Sequence, residues 1–330
     1  PNSGRFLLLF LVYSIITSMK SRLIIVINPR SSGFSFISKK ILKPVYASSL
    51  SEGEIITFEI QPTNPLDNAQ KMAKILKNGD KILVAGGDGT AHIASNAVAF
   101  SGKKVQIKYT GFGNFNDYAC SFSANTPQAA VRALEKGETV SVLRPLEIFI
   151  NGEFYRYAPL YATFGLTAEA TEIFDLPKIR NRLKKIKNRN LRHLLSLAEA
   201  AKFYFKNRKK HILKIAKIET DGEVFEIRDK ITDVAFLNGP RMARVMRSKI
   251  NKTDSENFGF TAMNSGDFRA NIPFLVKGIF GHIPLKRVKN VKIEFKKPSK
   301  IALQIEGEVY RISDVETLEV RISKEKIEVL

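Results

Sequence analysis

The sequence has 330 residues, of which 44% are hydrophobic and 26% are charged. This composition is typical of a globular protein long enough for two domains, and it excludes a disordered or fibrous chain. The single cysteine, Cys120, excludes an internal disulfide framework and a cysteine-built zinc site, and it favours a reducing compartment such as the cytoplasm.

The formal net charge is +21, and it is concentrated in one segment. Between residues 178 and 217 the chain has fifteen lysines and arginines and a single acid, Glu199. Such a concentration predicts a surface that binds phosphate groups, either of lipid head groups or of nucleic acid.

Residues 1–21 are predicted to be a leader outside the folded domains. Residues 6–16 are apolar except for Ser14, a run shorter than the roughly 20 residues that a membrane span needs. We interpret Met19 as the start of the protein and the preceding residues as upstream sequence. A short membrane anchor is the alternative, and a signal peptide is disfavoured because no small residues mark a cleavage site.

In the first half of the chain, a buried apolar strand is followed three times by a loop rich in glycine or asparagine and then by a helical pattern. This order predicts a doubly wound, mostly parallel α/β domain. Ligands bind at the carboxyl ends of such strands, so we expect the three loops to line one crevice. The strands are predicted at 23–27, 81–85 and 105–109, the loops at 28–33, 86–90 and 111–117, and the helices at 68–77, 91–98 and from Thr126.

Beyond residue 143, short alternating strands predict an antiparallel β-sandwich interrupted by a helical segment at about 178–207. Asn151-Gly152 and Asp221-Gly222 are typical of hairpin turns. We therefore expect an α/β domain at 22–143, which 316–330 would complete, and a β-sandwich domain at 144–315. The strands of the second domain are predicted at 146–150, 154–159, 212–219, 224–227, 234–237, 291–295 and 301–305.

The loop Gly86-Gly87-Asp88-Gly89-Thr90 carries the most chemical information. Three glycines within four residues allow the backbone to approach a ligand and to direct its N–H groups at an anion, and the following helix adds its positive N-terminus. An acid in such a loop is suited to holding Mg²⁺ or to accepting a proton from an attacking hydroxyl. The structural alternative is a tight turn between a strand and a helix.

This loop resembles the Gly-Gly-Asp-Gly-Thr signature that diacylglycerol-kinase-like lipid kinases share with NAD kinases and phosphofructokinases. Two further loops favour the lipid kinases. Asn28-Pro29-x-Ser31-x-Gly33 resembles their opening loop. Gly113-Asn114-Phe115-Asn116-Asp117-Tyr118-Ala119 resembles their Gly-Thr-x-Asn-Asp-Phe-Ala loop, which NAD kinases lack.

Three later segments extend the resemblance from about residue 22 to the end of the sequence. The segment from Phe164 to Glu169 is similar to the family's Gly-Phe-Asp-Ala-Glu, and Asn238-Gly239-Pro240 to its Asn-Gly-Pro. Glu306-Gly307-Glu308 is similar to its late Asp-Gly-Glu. Asp221-Gly222-Glu223 spells that last motif more closely, but its alternating flanks indicate a hairpin turn.

The resemblance implies a kinase that uses ATP and Mg²⁺, with a nucleotide-binding domain at 22–143, a lipid-substrate domain at 144–315 and the nucleotide between them. Asp88 and Asp117 would organise the Mg²⁺ ion, and either Asp88 or Glu308 would be the base, with Glu306 beside them as a further catalytic acid. Gly165 and Glu169 would contact the lipid. The nucleotide would be bound by Asn28, Pro29, Ser31, Thr63, Gly86, Gly87, Gly89, Thr90, Gly113, Asn114 and Asn116.

The chain also departs from the family pattern. Ile93 occupies the place of a glutamate, Asn114 that of a threonine and Glu306 that of an aspartate, and these changes are compatible with reduced activity. Residues 241–244 replace a run of glycines. Ser255-Glu256-Asn257 replaces an Asp-Asp-Gly that holds a structural metal in some members, which leaves Glu256 as the candidate ligand.

The predicted partners are an anionic membrane surface and a lipid alcohol, with no nucleic acid, and the sequence is compatible with a homodimer. The basic segment between residues 184 and 210 would dock on the inner face of the membrane, since each lysine or arginine near such a surface contributes about 1 kcal/mol. Two alternatives stay open. One is an NAD-kinase-like enzyme, and the other is a lipid-binding homologue with weak catalysis.

Overall fold

The computed structural model describes residues 22–31, 34, 38–111, 117–122, 126–173, 176, 179, 182, 185–186, 195, 198–199, 202–207, 212–225, 230–242, 246–249, 256–264, 277 and 282–330. These residues form two compact units. The first unit comprises the described residues from 22 to 111 together with 122, 126–140 and 327–330. The second comprises 117–121 and the described residues from 141 to 326.

Five parallel strands lie side by side in the first unit, in the order β2-β1-β3-β4-β18. Every residue of β1 is buried, as expected for a strand that is covered on both faces. The predicted α/β class of this unit is confirmed. The strands are β1 (Leu23–Ile27), β2 (Ile55–Glu59), β3 (Lys81–Gly86), β4 (Gln106–Gly111) and β18 (Ile327–Val329).

Helices cover the sheet. Leu23, Ile25 and Ile27 of β1 share a core with residues of α1 and α5. The helix α3 contacts β1, β3, β4 and β18, and α2 packs on α3. The helices with defined bounds among the described residues include a π-helical turn (Ser38–Leu42), α1 (Lys43–Tyr46), a 3₁₀ turn (Ser49–Glu52), α2 (Pro65–Ile75), α3 (Asp88–Ser101), α4 (Asp117–Ser121), α5 (Pro127–Lys136) and α6 (Leu166–Glu172). Of these, α4 and α6 belong to the second unit.

Local capping fixes where two of these helices begin. The Asn64 side chain accepts a hydrogen bond from the backbone N–H of Leu66 at 2.9 Å, and Thr126 accepts one from Ala129 at 3.1 Å. Both helices then have proline in the first turn, where no backbone donor is required.

The second unit is antiparallel. Its ten-stranded sheet has the order β15-β14-β11-β8-β16-β17-β6-β7, with β9 paired to β16 and β10 paired to β9, and β12 and β13 form a separate two-stranded ribbon. The strands are β5 (Ser141–Leu143), β6 (Leu146–Ile150), β7 (Glu153–Ala158), β8 (Tyr161–Gly165), β9 (Ile215–Thr220), β10 (Glu223–Val224), β11 (Ile231–Leu237), β12 (Arg241–Met242), β13 (Met246–Arg247), β14 (Phe258–Asn264), β15 (Lys286–Val288), β16 (Asn290–Ile305) and β17 (Glu308–Ile322).

The long strand β16 folds this sheet around one core. Its residues 291–295 pair with β9, whereas residues 303–305 pair with β8. Although the two parts of β16 pair with different strands, they share one core, because the rings of Phe164 on β8 and Phe295 on β16 lie 6.1 Å apart. The sequence predicted two strands here, at 291–295 and 301–305, but the structure has one strand with register shifts between Glu294 and Ile301.

Most of the predicted helical stretch at 178–207 lies outside the described residues, although 202–207 is helical. Within the part of the chain that the structure describes, no helix is long and apolar enough to cross a membrane.

Candidate functional site

The loop after β1 is closed by its own backbone and by Asn28. The Asn28 side-chain oxygen accepts a hydrogen bond from the Arg30 N–H at 3.0 Å, and its carbonyl accepts one from the Ser31 N–H at 3.0 Å. This Asx-type turn fixes the side chain of Asn28 at the end of the strand. Pro29 is exposed and Ser31 is half-buried.

The Gly86–Thr90 loop joins β3 directly to α3. Gly87 is the N-cap residue and supplies no side-chain cap, and its carbonyl accepts a hydrogen bond from the Ala91 N–H at 3.0 Å. The N–H groups of the first turn of a helix have no intrahelical acceptor, so they can bind an anion. Asp88 is half-buried in that turn, and Gly89 is exposed.

Gly86 has a steric role in this loop. A Cβ atom at Gly86 would lie 2.4 Å from the Thr90 hydroxyl oxygen and 2.6 Å from its Cβ. Thr90 itself is buried. Glycine at this position therefore lets the first turn of α3 fold tightly against the end of β3.

The loops after β1 and β3 lie at the same edge of the sheet. Ile27 and Ala85 are paired neighbours on parallel strands, so Asn28 and Gly86 end adjacent strands at their carboxyl sides. The connection from β1 leads to β2 on one side, and the chain then crosses to β3 on the other side. This reversal of direction is the position where open α/β sheets bind ligands.

Thr63 is held at this edge by Asn68, a residue that the sequence reasoning missed. The Asn68 amide is fully buried and donates to the Thr63 hydroxyl at 3.1 Å and to the Gln61 carbonyl at 3.1 Å. Its oxygen accepts from the Gln61 N–H at 2.8 Å. A buried asparagine one turn after a helix N-cap is the signal that could have identified it.

The third predicted loop is described only in part. Gly113, Asn114 and Asn116 lie outside the described residues. Asp117 begins α4 in the second unit and is 2% exposed. Tyr118, which follows it, is also buried.

Glu306 is a buried acid in the hairpin turn between β16 and β17. Glu306 and Gly307 have φ angles of 51° and 96°, and Ile305 pairs with Glu308 across this two-residue turn. One Glu306 carboxylate oxygen accepts a hydrogen bond from the Tyr118 hydroxyl, and the other accepts one from the Leu160 N–H. Glu306 is 4% exposed, whereas Glu308 is exposed.

Asn238 and Gly239 hold the other side of Leu160. Their N–H groups donate to the Leu160 carbonyl at 2.7 and 3.0 Å. The Asn238 amide also donates to the carbonyls of Arg144, at 2.7 Å, and Pro159, at 2.8 Å. Two segments that resemble the family motifs, those with Asn238 and Glu306, therefore meet at Leu160, and Tyr118 of a third segment bonds to Glu306.

Gly165 and Glu169, the predicted lipid-binding residues, both make structural contacts around α6. Gly165 has a φ of 105°, and a Cβ there would lie 2.2 Å from the Thr232 carbonyl oxygen. Glu169 forms an ion pair with Arg311 at 3.4 Å, and Arg311 also pairs with Glu172.

Asp233 fixes the first turn of α6 from β11. Its Oδ1 atom accepts hydrogen bonds from the backbone N–H and the hydroxyl of Thr167. Asp233 is buried, and this burial raises the pKa of its carboxyl above the ordinary value of 3.8, against hydrogen bonds that lower it.

An arginine that the sequence reasoning also missed lies close to the late motif. The buried Arg156 guanidinium stacks on the Tyr310 ring at 4.3 Å and lies 5.3 Å from the Tyr155 ring. Burial raises the pKa of Tyr310 to about 12, and the negative charge of Glu308 acts in the same direction. A β-strand pattern gives no signal for such a cation-π contact.

Two predicted features gain no support from the described residues. Glu256 is exposed, and no group of three or more His, Cys, Asp or Glu side chains suited to a metal occurs in the described parts of the chain. The structural metal at Glu256 stays a prediction. Most of the basic residues between 184 and 210 lie outside the described residues, although Arg182 pairs with Glu199 at 2.5 Å.

This chain is similar to known proteins in part of its sequence and in its fold. Residues 22–143 match the model of the diacylglycerol kinase catalytic domain, which confirms the predicted resemblance for this part. No curated protein is similar enough to the chain to count as a match.

Three solved structures of proteins from Bacillus anthracis strain Sterne, assigned as diacylglycerol kinases, are similar to the chain over its length. They have TM-scores of 0.64, 0.63 and 0.63 and identities of 18%, 18% and 19%. Each alignment covers 94% of this chain, and 97%, 97% and 96% of the respective relatives. At these identities the similarity shows a shared fold and nothing further.

Proposed function

We propose that the chain is an ATP-dependent lipid kinase, because residues 22–143 match the model of the diacylglycerol kinase catalytic domain. The observation that carries this proposal is the position of the Gly86–Thr90 loop. It combines the N-terminal turn of α3 with an acid at the point where the sheet reverses its direction, next to Asn28. The polyphosphate of ATP would lie at this edge, where its negative charge would meet the backbone N–H groups at the start of α3.

The acids suit Mg²⁺ as the metal that accompanies ATP. Asp88 offers a half-buried carboxylate and Asp117 a buried one, and magnesium prefers hard oxygen ligands. Mg²⁺ usually takes one or two carboxylates and completes its shell with phosphate oxygens and water. The lack of a three-acid cluster in the described residues is compatible with such a site. When bound, the ion would neutralise charge on the transferring phosphoryl group.

The proposed reaction transfers a phosphoryl group to a lipid alcohol such as diacylglycerol or a sphingoid base. The lipid hydroxyl oxygen forms a bond to the γ-phosphorus, the bond from that phosphorus to the bridging oxygen breaks, and ADP leaves. A carboxylate accepts the hydroxyl proton, and Asp88 and Glu308 are the candidates. Glu308 is exposed on β17, so its carboxylate is accessible to a substrate.

The decisive experiment is a transfer assay with γ-labelled ATP and Mg²⁺ against a panel of lipid alcohols, with NAD as a further acceptor. We expect a labelled lipid and no labelled NADP. Asp88→Asn should lower the turnover number by more than about 100-fold, since it removes a charge from the reacting centre.

The matched control is Asp314→Asn. Asp314 is an exposed aspartate with a φ of 56°, a conformation that asparagine also adopts readily. Full activity is expected for this variant. Transfer to NAD would favour the NAD-kinase alternative, and ATP-independent lipid binding without turnover would favour the catalytically weak homologue.

We also propose that the basic segment docks the chain on an anionic membrane at the cytoplasmic face. Lys185, Lys202 and Lys206 are exposed members of this segment. Changing all three to glutamate should weaken binding to phosphatidylglycerol vesicles about tenfold or more, because each lysine contributes about 1 kcal/mol near such a surface.

The control for membrane docking is the same triple change at Lys71, Lys74 and Lys103, which are exposed in the first unit. Co-sedimentation at increasing salt measures both effects. Vesicle binding that is insensitive to salt, or equal losses in both triple variants, would contradict the docking surface. Binding to RNA with equal affinity would point to a nucleic-acid partner instead.

A further inference from the structure

The hydrogen bond between Tyr118 and Glu306 joins two positions at which the chain departs from the family pattern. The family-like loop has phenylalanine at the position of Tyr118, and the late motif has aspartate at the position of Glu306. In the structure, the tyrosine hydroxyl donates directly to the longer acid. Phenylalanine has no hydroxyl that could donate, and aspartate is one methylene shorter than glutamate. Tyr118 therefore supplies the donor of this hydrogen bond, and Glu306 supplies an acceptor of sufficient length.

The backbone at Glu306 indicates that the length of this side chain is needed. Its φ of 51° lies in the left-handed region, where aspartate and asparagine are several-fold enriched over longer residues. The chain nevertheless has glutamate there. The extra methylene allows one carboxylate to reach both the Tyr118 hydroxyl and the Leu160 N–H.

This contact holds a helix that cannot be stable by itself. The α4 helix has five residues, far fewer than an isolated helix needs in water. Tyr118 lies in its first turn, next to Asp117, and anchors it to the turn that ends at Glu308. Leu160 is in turn bound on its carbonyl side by Asn238 and Gly239, so the anchor itself is fixed.

We infer that Tyr118 is a positioning residue for the transfer reaction. Through Glu306, it fixes the Asp117 carboxylate relative to the β17 end that carries Glu308. Glu306 thereby acts as a positioning residue, whereas the exposed Glu308 is the acid of the late motif that is a candidate for the base. This inference rests on the proposed kinase function and deepens it.

The test is a double-mutant cycle on turnover with Tyr118→Phe, Glu306→Asp and the double variant. Each single variant should lower the turnover number at least about tenfold while changing the KM for ATP less than about threefold, because a misplaced reacting group affects the chemical step. The double variant should lose no more than the worse single variant, since both substitutions break the same contact.

The matched control is Tyr109→Phe. The Tyr109 hydroxyl is also buried and hydrogen-bonded, to the Ser95 hydroxyl at 2.8 Å, but it lies on β4. Both tyrosine variants should lower the unfolding temperature by a few degrees. Only Tyr118→Phe should lower the turnover number, which separates positioning from a general loss of stability.

Amide hydrogen exchange in α4 provides a readout that does not depend on activity. Tyr118→Phe should speed exchange of these amides at least about tenfold, and Tyr109→Phe should not. If the unaltered protein transfers no phosphate to any acceptor, the proposed function fails, and the exchange result still decides whether Tyr118 holds α4. Unchanged exchange in Tyr118→Phe, or a double variant whose loss equals the product of the single losses, would overturn the inference.

Discussion

The carboxylate of Asp233 on β11 accepts two hydrogen bonds from Thr167, one from its backbone N–H and one from its hydroxyl. A single buried acid thus satisfies two donors at the start of α6. It is buried by the same sheet that forms the core of the second unit, and burial disfavours its charged form.

We predict that Asp233→Asn retains most of the stability, whereas Asp233→Ala loses about 3 kcal/mol or more of unfolding free energy. The asparagine oxygen can accept both hydrogen bonds from Thr167 without burying a charge. Urea unfolding at neutral pH measures both values. Equal losses in the two variants would show that the charge itself is required.

The stability should also depend on pH through Asp233. Its folded-state pKa is raised above 3.8, so the folded protein holds this proton more tightly than the unfolded chain does. The stability from the neutral carboxyl is therefore present below the unfolded pKa and is lost as the pH rises through the folded pKa. Relative to the unaltered protein, Asp233→Asn should become more stable as the pH rises above the unfolded-state pKa of Asp233. A difference that shrinks with rising pH contradicts this prediction.

Gly165→Ala should destabilise the protein by more than about 3 kcal/mol, since it combines a left-handed backbone with a collision against a carbonyl group. The φ of Gly165 is 105°, and the Thr232 oxygen would lie 2.2 Å from the new atom. Gly222 provides the comparison, because its φ of 86° is similar but its Cβ position meets nothing within 4 Å. Gly222→Ala should cost only about 1–2 kcal/mol in the same denaturation experiment.

Asn68→Ala should lower the unfolding free energy by about 2–3 kcal/mol and weaken ATP binding, because the Gln61–Asn64 loop loses its buried hydrogen-bond partner. Asn78→Ala is the control. Asn78 is exposed and accepts one hydrogen bond, from the Lys104 N–H at 2.9 Å. Calorimetric titration with ATP should detect a loss of affinity in the first variant only, and an equal effect at Asn78 would argue against a role for Thr63.

Gly86→Ala should weaken ATP binding more than about tenfold, since the added methyl group displaces Thr90 and the first turn of α3. Gly79→Ala changes a glycine in the same unit whose Cβ position is open, although its φ is 87°. That control should lose some stability and keep its nucleotide affinity. Normal ATP binding by Gly86→Ala would remove the loop from the proposed nucleotide site.

The first unit follows the sequence patterns closely. The apolar run predicted at 23–27 is β1, and the run predicted at 81–85 is β3 with one further residue. These strands are buried on both faces, so hydrophobicity alone identifies them. The hairpins at Asn151-Gly152 and Asp221-Gly222 are also confirmed, since both asparagine and aspartate there have positive φ angles.

The sequence reasoning missed β8, β14 and β17, although β17 has fifteen residues. Charged residues interrupt the alternation of β17, because part of the strand is exposed and Arg311 forms ion pairs with α6. The sequence also does not show which of two similar turns is buried. Asp221 and Glu306 both open a two-residue turn. The exposed Asp221 side chain accepts hydrogen bonds from two backbone N–H groups at 2.8 and 2.9 Å, whereas Glu306 is buried.

The strand β18 has a consequence for the order of events during synthesis. It lies beside β4, and its residues Glu328 and Val329 contact Thr139 and Val140 through hydrogen bonds of 3.1 and 2.8 Å. The first unit is therefore incomplete on the ribosome until nearly two hundred further residues have been made. Until then the β4 edge of the nascent first unit is not paired with β18, so we expect a chaperone that shields this edge to raise the yield of native protein.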